Sequence, residues 1–409
     1  MVQKKEIILL NINGMDRPGV TAALTEILAK NDAVILDIGQ ADIHNNLSLG
    51  ILFQSTETDS GRTLKDLLFK GYELGVNIRF NPIPEDEYAK WVNMQGKNRY
   101  IITILGRMMT AKQIAAVTRI VADHGMNIDD IKRLTGRIPL EESARSQKAS
   151  IEFSVRGNPK NREEMQSEFM RISSEMKMDI SFQEDSMYRR MRRLICFDMD
   201  STLIRTEVID ELAERAGVGE KVKAITESAM RGEIDFNESF KQRCALLKGL
   251  DASVMQEIAE NLPITEGTDR LMHVLKKIGF KIAILSGGFT YFGNALKQKY
   301  GIDYVYANEL EIVDGKLTGN HLGEIVDGKR KAELLRLIAQ VENVDIRQTV
   351  AVGDGANDLP MISTAGLGIA FHAKPKVKET AKQSISTIGL DGVLYFLGYK
   401  DSYLDEALQ

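Results

Sequence analysis

Two aspartates, Asp198 and Asp200, stand directly behind the apolar run Leu194–Phe197, and in open α/β sheets ligands sit at the carboxyl ends of strands. Strand-like alternation turns both to one side, where one carboxylate can attack an electrophile while the other handles protons. Ser286, Gly287 and Gly288 follow the run Lys281–Leu285, and a small hydroxyl beside backbone N–H groups can cradle a phosphate. Past a further strand-like run come Asp354 and Asp358 with Asn357 between them, and oxygen ligands converging on one spot suit Mg²⁺. Lys329, in the stretch Asp327–Lys331, is a candidate counter-charge. Each feature alone has a plainer reading: Asp-x-Asp occurs in turns and helix caps, Ser-Gly-Gly is a common turn, and a lone lysine is most often a solvated charge.

Positioning these groups is the task of the elements around them. From Leu194 onward, strand-like runs at Lys281–Gly288, Tyr304–Leu310, Thr349–Gly355 and Leu367–Phe371 alternate with helical segments, the pattern of a doubly wound parallel sheet. Residues of about 208–272 are rich in Ala, Glu, Lys, Leu and Met with almost no β-branched alternation, which reads as a small helical cap. The basic run Met187–Arg193 reads as a solvated linker that also neutralises nearby carboxylates.

Upstream the chain repeats itself. Residues 7–38 and 100–131 align at an offset of about 93. Each copy has an apolar strand, a turn, helical spacing (Leu24, Ile27, Leu28 against Val117, Ile120, Val121) and a second strand. Alternating runs follow (Leu47, Leu49, Ile51, Phe53 against Ile151, Phe153, Val155), then a polar helix and closing strands (Val76, Ile78, Phe80 against Met178, Ile180, Phe182). The pattern is βαββαβ twice, with residues 81–98 as the expected linker.

Composition bounds the partners. The 409 residues carry 53 Lys plus Arg and 58 Asp plus Glu, a net charge of −5, so no overall footprint for nucleic acid is present. Cys196 and Cys244 stand far apart without metal-ligand spacing, which fits a reducing cytoplasm and no disulfide framework. The apolar stretch near the start is too short and too soon interrupted by Asn11, Asn13 and Asp16 for a signal peptide, and no run of about 18 apolar residues suggests a membrane span. A cytoplasmic protein with small-molecule partners is the expectation.

The order Asp-x-Asp-Ser-Thr, Ser-Gly-Gly, Lys, Gly-Asp-Gly-x-Asn-Asp resembles the phosphatases of the haloacid dehalogenase superfamily over roughly residues 193–398. The resemblance implies Asp198 as nucleophile and Asp200 as general acid/base. It has Ser286, Gly287, Lys329 and Asn357 hold the substrate, and Asp198, Asp354 and the backbone carbonyl of Asp200 hold Mg²⁺. The cap stretch with Met230, Gly232, Phe236, Arg243 and Leu246 is similar to that of phosphoserine phosphatases. That implies Glu207 on a substrate ammonium, Arg243 on its carboxylate, and Met230 and Phe236 closing over the site. An amino-acid zwitterion asks for one anion and one planar cationic fork.

Gly14–Leu24, in the first turn of the first repeat, and the βαββαβ order resemble the ACT family of amino-acid-binding regulatory domains. Such modules commonly pair across subunits and bind an amino acid at the shared interface, which implies a homodimer with L-serine or another amino acid near Asp16 and Gly19. The second copy departs from the motif, with Gly106–Gln113 in that place, and the plainer alternative is that both copies serve only dimerisation or packing. The expected architecture is thus two ferredoxin-like α+β modules at 1–85 and 98–185 before an α/β phosphatase region at 186–409. Its expected reaction is Mg²⁺-dependent hydrolysis of O-phospho-L-serine through an aspartyl-phosphate, the last step of L-serine biosynthesis. The alternatives are a phosphatase for phosphothreonine or phosphohomoserine, and an amino-acid sensor with secondary catalysis. A chain beginning near Arg190 is expected to retain catalysis.

Overall fold

The computed structural model describes residues 5–94, 98–137, 148–381 and 383–408, and the side chains at 57–59, 230 and 405–408 lie outside that description. The chain divides into two compact units, Met1–Lys97 and Asn98–Gln409.

In the first unit, β1 (Lys5–Met15), α1 (Val20–Lys30), β2 (Val34–Ile43), β3 (Asn46–Thr56), α2 (Glu57–Leu74) and β4 (Val76–Ile83) form the βαββαβ module. Its antiparallel sheet runs β2-β3-β1-β4. Alternation sends Ile8, Leu10 and Ile12 of β1 inward against Leu24, Leu28 and Leu67 of the helices, each buried side chain contributing about 1.5–3 kcal/mol. The expected linker is partly regular: β4 runs on to Ile83 and α3 spans Glu85–Val92. The first turn of α3 carries Glu85, Asp86 and Glu87, acidic residues that favour a helix N-terminus.

The second module repeats the order with β5 (Arg99–Gly106), α4 (Ala111–Asp123), β6 (Asn127–Arg133), β7 (Ala149–Arg156), α5 (Arg162–Met176) and β8 (Asp179–Glu184), in a sheet β6-β7-β5-β8. The basic run behind it is less solvated than its composition suggests. Its residues 187–190 form the short helix α6 (Met187–Arg190), Arg189 is buried on Glu152 at 2.7 Å, and Arg192 is buried with a bond to Gln183 at 2.9 Å.

The α/β body follows within the same compact unit. Its sheet order is β12-β11-β10-β9-β13-β14-β15, built from β9 (Leu194–Phe197), β10 (Lys281–Phe289), β11 (Tyr304–Val313), β12 (Lys316–Leu322), β13 (Thr349–Gly353), β14 (Leu367–Phe371) and β15 (Ser384–Ile385). All pairings are parallel except the hairpin of β11 with β12. Every residue of β9 and β13 is buried, as both faces of a parallel sheet must be covered. One face packs Ile195, Phe197 and Val352 and the other packs Leu194, Cys196 and Ala351. Strand order reverses at β9, flanked by β10 and β13, and such a reversal opens a crevice at the carboxyl ends.

The cap consists of α7 (Val208–Arg215), α8 (Gly219–Met230), α9 (Phe236–Ala245) and α10 (Ser253–Glu260). Two crossing segments close it, with Arg205 N–H donating to the Pro263 carbonyl at 2.8 Å and Thr265 N–H to the Leu203 carbonyl at 3.0 Å. The cap therefore ends near residue 263, short of the expected 272. Helix α11 (Thr268–Lys277) instead buries Leu271, Met272, Val274 and Leu275 in the body. The β11–β12 hairpin reaches the cap as a third attachment: the N–H groups of Gly249 and Ala252 donate to the carbonyls of Leu317 and Gly315, both at 2.8 Å, and Leu317 N–H donates to the Leu250 carbonyl at 2.9 Å. The body is completed by α12 (Thr290–Tyr300), α13 (Gly328–Val341), α14 (Leu359–Thr364), α15 (Pro375–Ala381), α16 (Gly392–Phe396) and α17 (Asp401–Leu408). Among the described residues no helix is long and apolar enough to cross a membrane.

Candidate active site

Strand β9 ends at Phe197, and Asp198 accepts the N–H of Met199 at 2.8 Å. The chain then makes a wide turn over Met199–Leu203 in which Ser201 adopts φ 56°, a left-handed conformation. A non-glycine residue held there costs on the order of 1–3 kcal/mol. Its bonds restrain it: Ser201 Oγ donates to Glu207 at 2.7 Å and its N–H donates to the Thr206 carbonyl at 3.2 Å. The turn brings Asp200 back under the cap, where its Oδ1 accepts the N–H of Val208 at 3.3 Å. Burial, then the nearby charges of Glu207 and Asp198, pushes the Asp200 carboxyl well above the usual range, which favours a proton-carrying form.

The end of β10 faces this turn. Ser286 is fully buried and its Oγ accepts the N–H of Gly288 at 3.0 Å. A Cβ on Gly288 would lie 2.4 Å from Asp200 Oδ2, so only glycine lets the two segments meet. A Cβ on Gly287 would lie 2.9 Å from Cζ of Phe236, so this half-buried cap ring lies against the glycine. Met230 ends α8, with its side chain outside the described ones.

The lysine at the site is Lys331. It is fully buried, with Nζ 2.9 Å from Asp198 Oδ1 and 2.7 Å from Asp358 Oδ1. Burial alone would discharge it, but the two carboxylates outweigh that and raise its pKa above the ordinary value. Lys329 stands 86% exposed with Glu333 at 3.9 Å. The correction follows from helix geometry: Asp327 caps α13 by accepting the N–H of Arg330 at 2.9 Å, and two residues along a helix are about 200° of rotation. The signal was present in the sequence. Lys331 is in phase with the buried Leu334, Leu335 and Ile338, the i+3, i+4, i+7 spacing of a core-facing stripe, and Lys329 is not.

After β13 the chain brings Asp354 and Asp358 to the same place. Carboxylate oxygens of Asp198, Asp354 and Asp358 lie within 4.8 Å of one another. Asp358 accepts the N–H of Gly355 at 2.9 Å, and Thr202 Oγ1 donates to Asp354 at 3.2 Å. Burial and the repulsion of Asp198, Asp358 and Glu207 raise the Asp354 carboxyl to about 8. Burial and Asp198 raise Asp358 to about 6, with Lys331 pulling it back. Crowded hard oxygens that repel one another in this way suit a divalent cation. Asn357, half-buried between the two aspartates, sets its carbonyl against the start of α13, 2.6 Å from where a Cβ on Gly328 would lie.

Glu207 immediately precedes α7, and Arg243 lies on α9 with Nε donating to the Ser239 carbonyl at 3.3 Å. Surrounding protein removes enough water to raise the Glu207 carboxyl, Asp198 and Asp210 adding to the shift. Partial burial lowers the Arg243 pKa, while Glu207, Asp210 and Asp200 favour its charge. The structure thus gathers Asp198, Asp200, Ser286, Gly287, Asn357 and Asp354 at the sheet's crevice, with Glu207 and Arg243 above it. Asp16 and Gly19 belong to the first unit, where Asp16 N–H donates to the Asn45 carbonyl at 2.8 Å and Gly19, at φ 93°, precedes α1.

Comparison with known proteins gives the same division. Profiles described as ACT domain match residues 6–81 and 99–183, and that of haloacid dehalogenase-like hydrolases matches 192–366. The phosphoserine phosphatase of Mycobacterium tuberculosis is 39% identical over 408 residues, 98% of this chain and 96% of that one. The chain belongs to the phosphoserine phosphatase family. Another member, from Streptomyces coelicolor, is 38% identical, covering 96% of this chain and 92% of its own. Among solved structures, a haloacid dehalogenase family hydrolase of Salmonella enterica serovar Typhi superposes with TM-score 0.61 at 30% identity, over 73% of this chain and 98% of that one. A probable phosphoserine phosphatase from Vibrio cholerae, unliganded, does so with 0.57 at 35%, over 77% and 90%. The family's architecture here is two ACT domains before a hydrolase of the haloacid dehalogenase type.

Proposed function

We propose that this enzyme hydrolyses O-phospho-L-serine to L-serine and phosphate, and that one observation carries the chemistry: buried Lys331 bridges Asp198 and Asp358 beside an Asp200 whose environment favours its proton. An Asp198 carboxylate oxygen attacks phosphorus as the bond to the seryl oxygen breaks, and Asp200 gives its proton to that oxygen. Asp200, now a carboxylate, takes a proton from water whose oxygen attacks phosphorus. The bond to Asp198 breaks and phosphate leaves. The approach of carboxylate to phosphate is opposed by about 4 kcal/mol per charge pair at ~4 Å and dielectric ~20, which Lys331 opposes from the Asp198 side while Ser286 and Gly287 orient the phosphoryl oxygens. Asp198, Asp354 and the backbone carbonyl of Asp200 would hold Mg²⁺, which would supply the remaining positive charge when bound. Glu207 takes the ammonium and Arg243 the carboxylate of the substrate, with Asn357 completing the pocket.

In this reading the enzyme is cytoplasmic and homodimeric and closes L-serine biosynthesis. The first ACT domain binds L-serine or another amino acid near Asp16 and Gly19. Phosphate release from L-phosphoserine, D-phosphoserine, phosphothreonine and an aryl phosphate, with Mg²⁺ or EDTA, tests the assignment. Metal-dependent preference for L-phosphoserine is expected, with Asp198→Asn and Lys331→Met each losing at least about 1000-fold and Lys329→Met staying within about 2-fold. Cleavage of the aryl phosphate but not phosphoserine overturns the Glu207 and Arg243 pocket. Cleavage of none favours a sensor.

A further inference from the structure

The segment Ser286–Gly288 and helix α13 both present groups to the phosphoryl site, yet they come from different parts of the sheet. One buried side chain joins them. Asn308, on β11 opposite Phe289, is 1% exposed. Its Nδ2 donates to the Gly287 carbonyl at 2.8 Å and its Oδ1 accepts the N–H of Val326 at 2.8 Å. The amide orientation is unambiguous, because a carbonyl requires the NH₂ and an N–H requires the oxygen. The Asn308 backbone carbonyl also accepts Thr290 Oγ1 at 3.0 Å, which fixes the start of α12.

Both ends of this bridge lead to the chemistry. The peptide between Gly287 and Gly288 is held at its oxygen by Asn308 and at its N–H by Ser286 Oγ, so the plane of the cradle cannot rotate. Val326 stands immediately before Asp327, whose side chain caps α13 and whose carbonyl accepts the N–H of Lys331 at 2.9 Å. Misplacing a catalytic group by 1 Å costs about 100-fold in rate, and no other side-chain bond recorded among the described residues links Gly287 to the approach of α13.

We propose that Asn308 is a positioning residue for phosphoryl transfer, holding the Ser286–Gly287 cradle in register with Lys331. The inference rests on the phosphatase reading above and is independent of which phosphomonoester is cleaved. Asn308→Asp keeps an acceptor for Val326 but sets a carboxylate oxygen against the Gly287 carbonyl. Asn308→Ser, with a hydroxyl too short to serve both partners, is the second variant should the first not fold. The full chain with Mg²⁺ is assayed for turnover of whichever monoester the wild type cleaves best. Orthovanadate binding is measured by calorimetry, which reads the cradle even without turnover, and L-serine is tested as a product inhibitor. The expected result is kcat down about 100-fold and vanadate affinity down at least about 10-fold, with inhibition by L-serine retained. A lowered melting temperature with kcat and vanadate affinity within about 2-fold of wild type, well below the melting point, overturns the proposal and leaves Asn308 a packing residue. Wild type that spares phosphoserine but cleaves another monoester overturns the substrate assignment alone.

Discussion

The two ACT domains share strand order and register, and they treat the same surfaces in opposite ways. Ile12 pairs with Ile78 and Leu10 with Phe80 in the first, as Ile104 pairs with Ile180 and Ile102 with Phe182 in the second. The outward face of the fourth strand is Asn77, Arg79 and Asn81 in one copy, all exposed, and Asp179, Ser181 and Gln183 in the other, all buried. There Asp179 accepts the N–H groups of Ser386 at 2.8 Å and Thr387 at 2.9 Å, Ser181 donates to Gln383 at 2.6 Å, and Gln183 donates to the Phe396 carbonyl at 2.9 Å. Leu105 and Leu134 of the second domain share an apolar cluster with the α/β body.

The first turns differ as well. Gly19 leaves the start of α1 without a side-chain cap, whereas Thr110 and Gln113 close α4 with a reciprocal capping box. Arg107, in that second turn, donates to the Thr387 carbonyl at 3.0 Å and to Glu266 at 2.8 Å, beside the closing segment of the cap. One copy leaves its turn uncapped, and the other bonds its turn and edge strand to the hydrolase. A repeat in sequence is thus no guide to a repeat in role.

The largest effect that would break this contrast comes from where the chain is cut. A protein starting at Asn98 should keep its fold and phosphatase activity within about 2-fold. One starting at Arg190 loses Asp179, Gln183 and the Lys148 partner of buried Asp391, and should melt at least about 10 °C lower or fail to stay in solution. Equal melting points would mean that the second domain is as dispensable as the first. On this packing the cut expected to leave the hydrolase intact lies at residue 98 rather than near Arg190.

A point mutation at the shared edge sharpens the comparison. Asp179→Ala leaves two N–H groups and the Thr387 hydroxyl without their acceptor, a cost of about 2–4 kcal/mol. Its counterpart Asn77→Ala should stay within about 0.5 kcal/mol, both read from urea unfolding. Comparable losses would erase the distinction.

The smallest effect is a pH dependence. Burial would raise the Asp401 carboxyl, but the Gly136 N–H, Arg270 and Tyr395 together hold it below its ordinary 3.8. The stability it adds is therefore complete above 3.8 and drains as pH falls through the lower folded value. The melting-point gap between wild type and Asp401→Asn should be constant near neutrality and narrow below about pH 3.8. A gap that widens on acidification contradicts the sign.

Much of this was legible in the residues themselves. Period-two alternation at Ile8, Leu10 and Ile12 and its echo at Ile102 and Ile104 sufficed for the βαββαβ repeats. Asp198, Ser286 and Asp354 each stood behind a buried run, so strand ends located them. The lysine was misassigned because three basic residues in a row satisfy the motif equally until helical phase is applied, and phase selects Lys331. Asp358 entered the sequence reading only beside Asp354 as a candidate oxygen ligand and the resemblance gave it no role, although its burial against Lys331 makes it part of the charge balance. Arg189 and Arg192 read as solvated because their acceptors, Glu152 and Gln183, lie on strands of the preceding domain. Asn308 carried no local signal, since its two partners are separated from it by 21 and 18 residues.

The hairpin of β11 and β12 has a mechanical consequence. A lid hung on two crossing segments could swing as a flap, but three backbone bonds from residues 315–317 to 249–252 tie this one to a strand pair that grows out of the body's own sheet. Swinging the cap alone would sever bonds worth about 1 kcal/mol each, so the arm travels with it. A cap that opened would therefore have to carry the root of β11 with it, loading the sheet's edge as well as its two crossing segments.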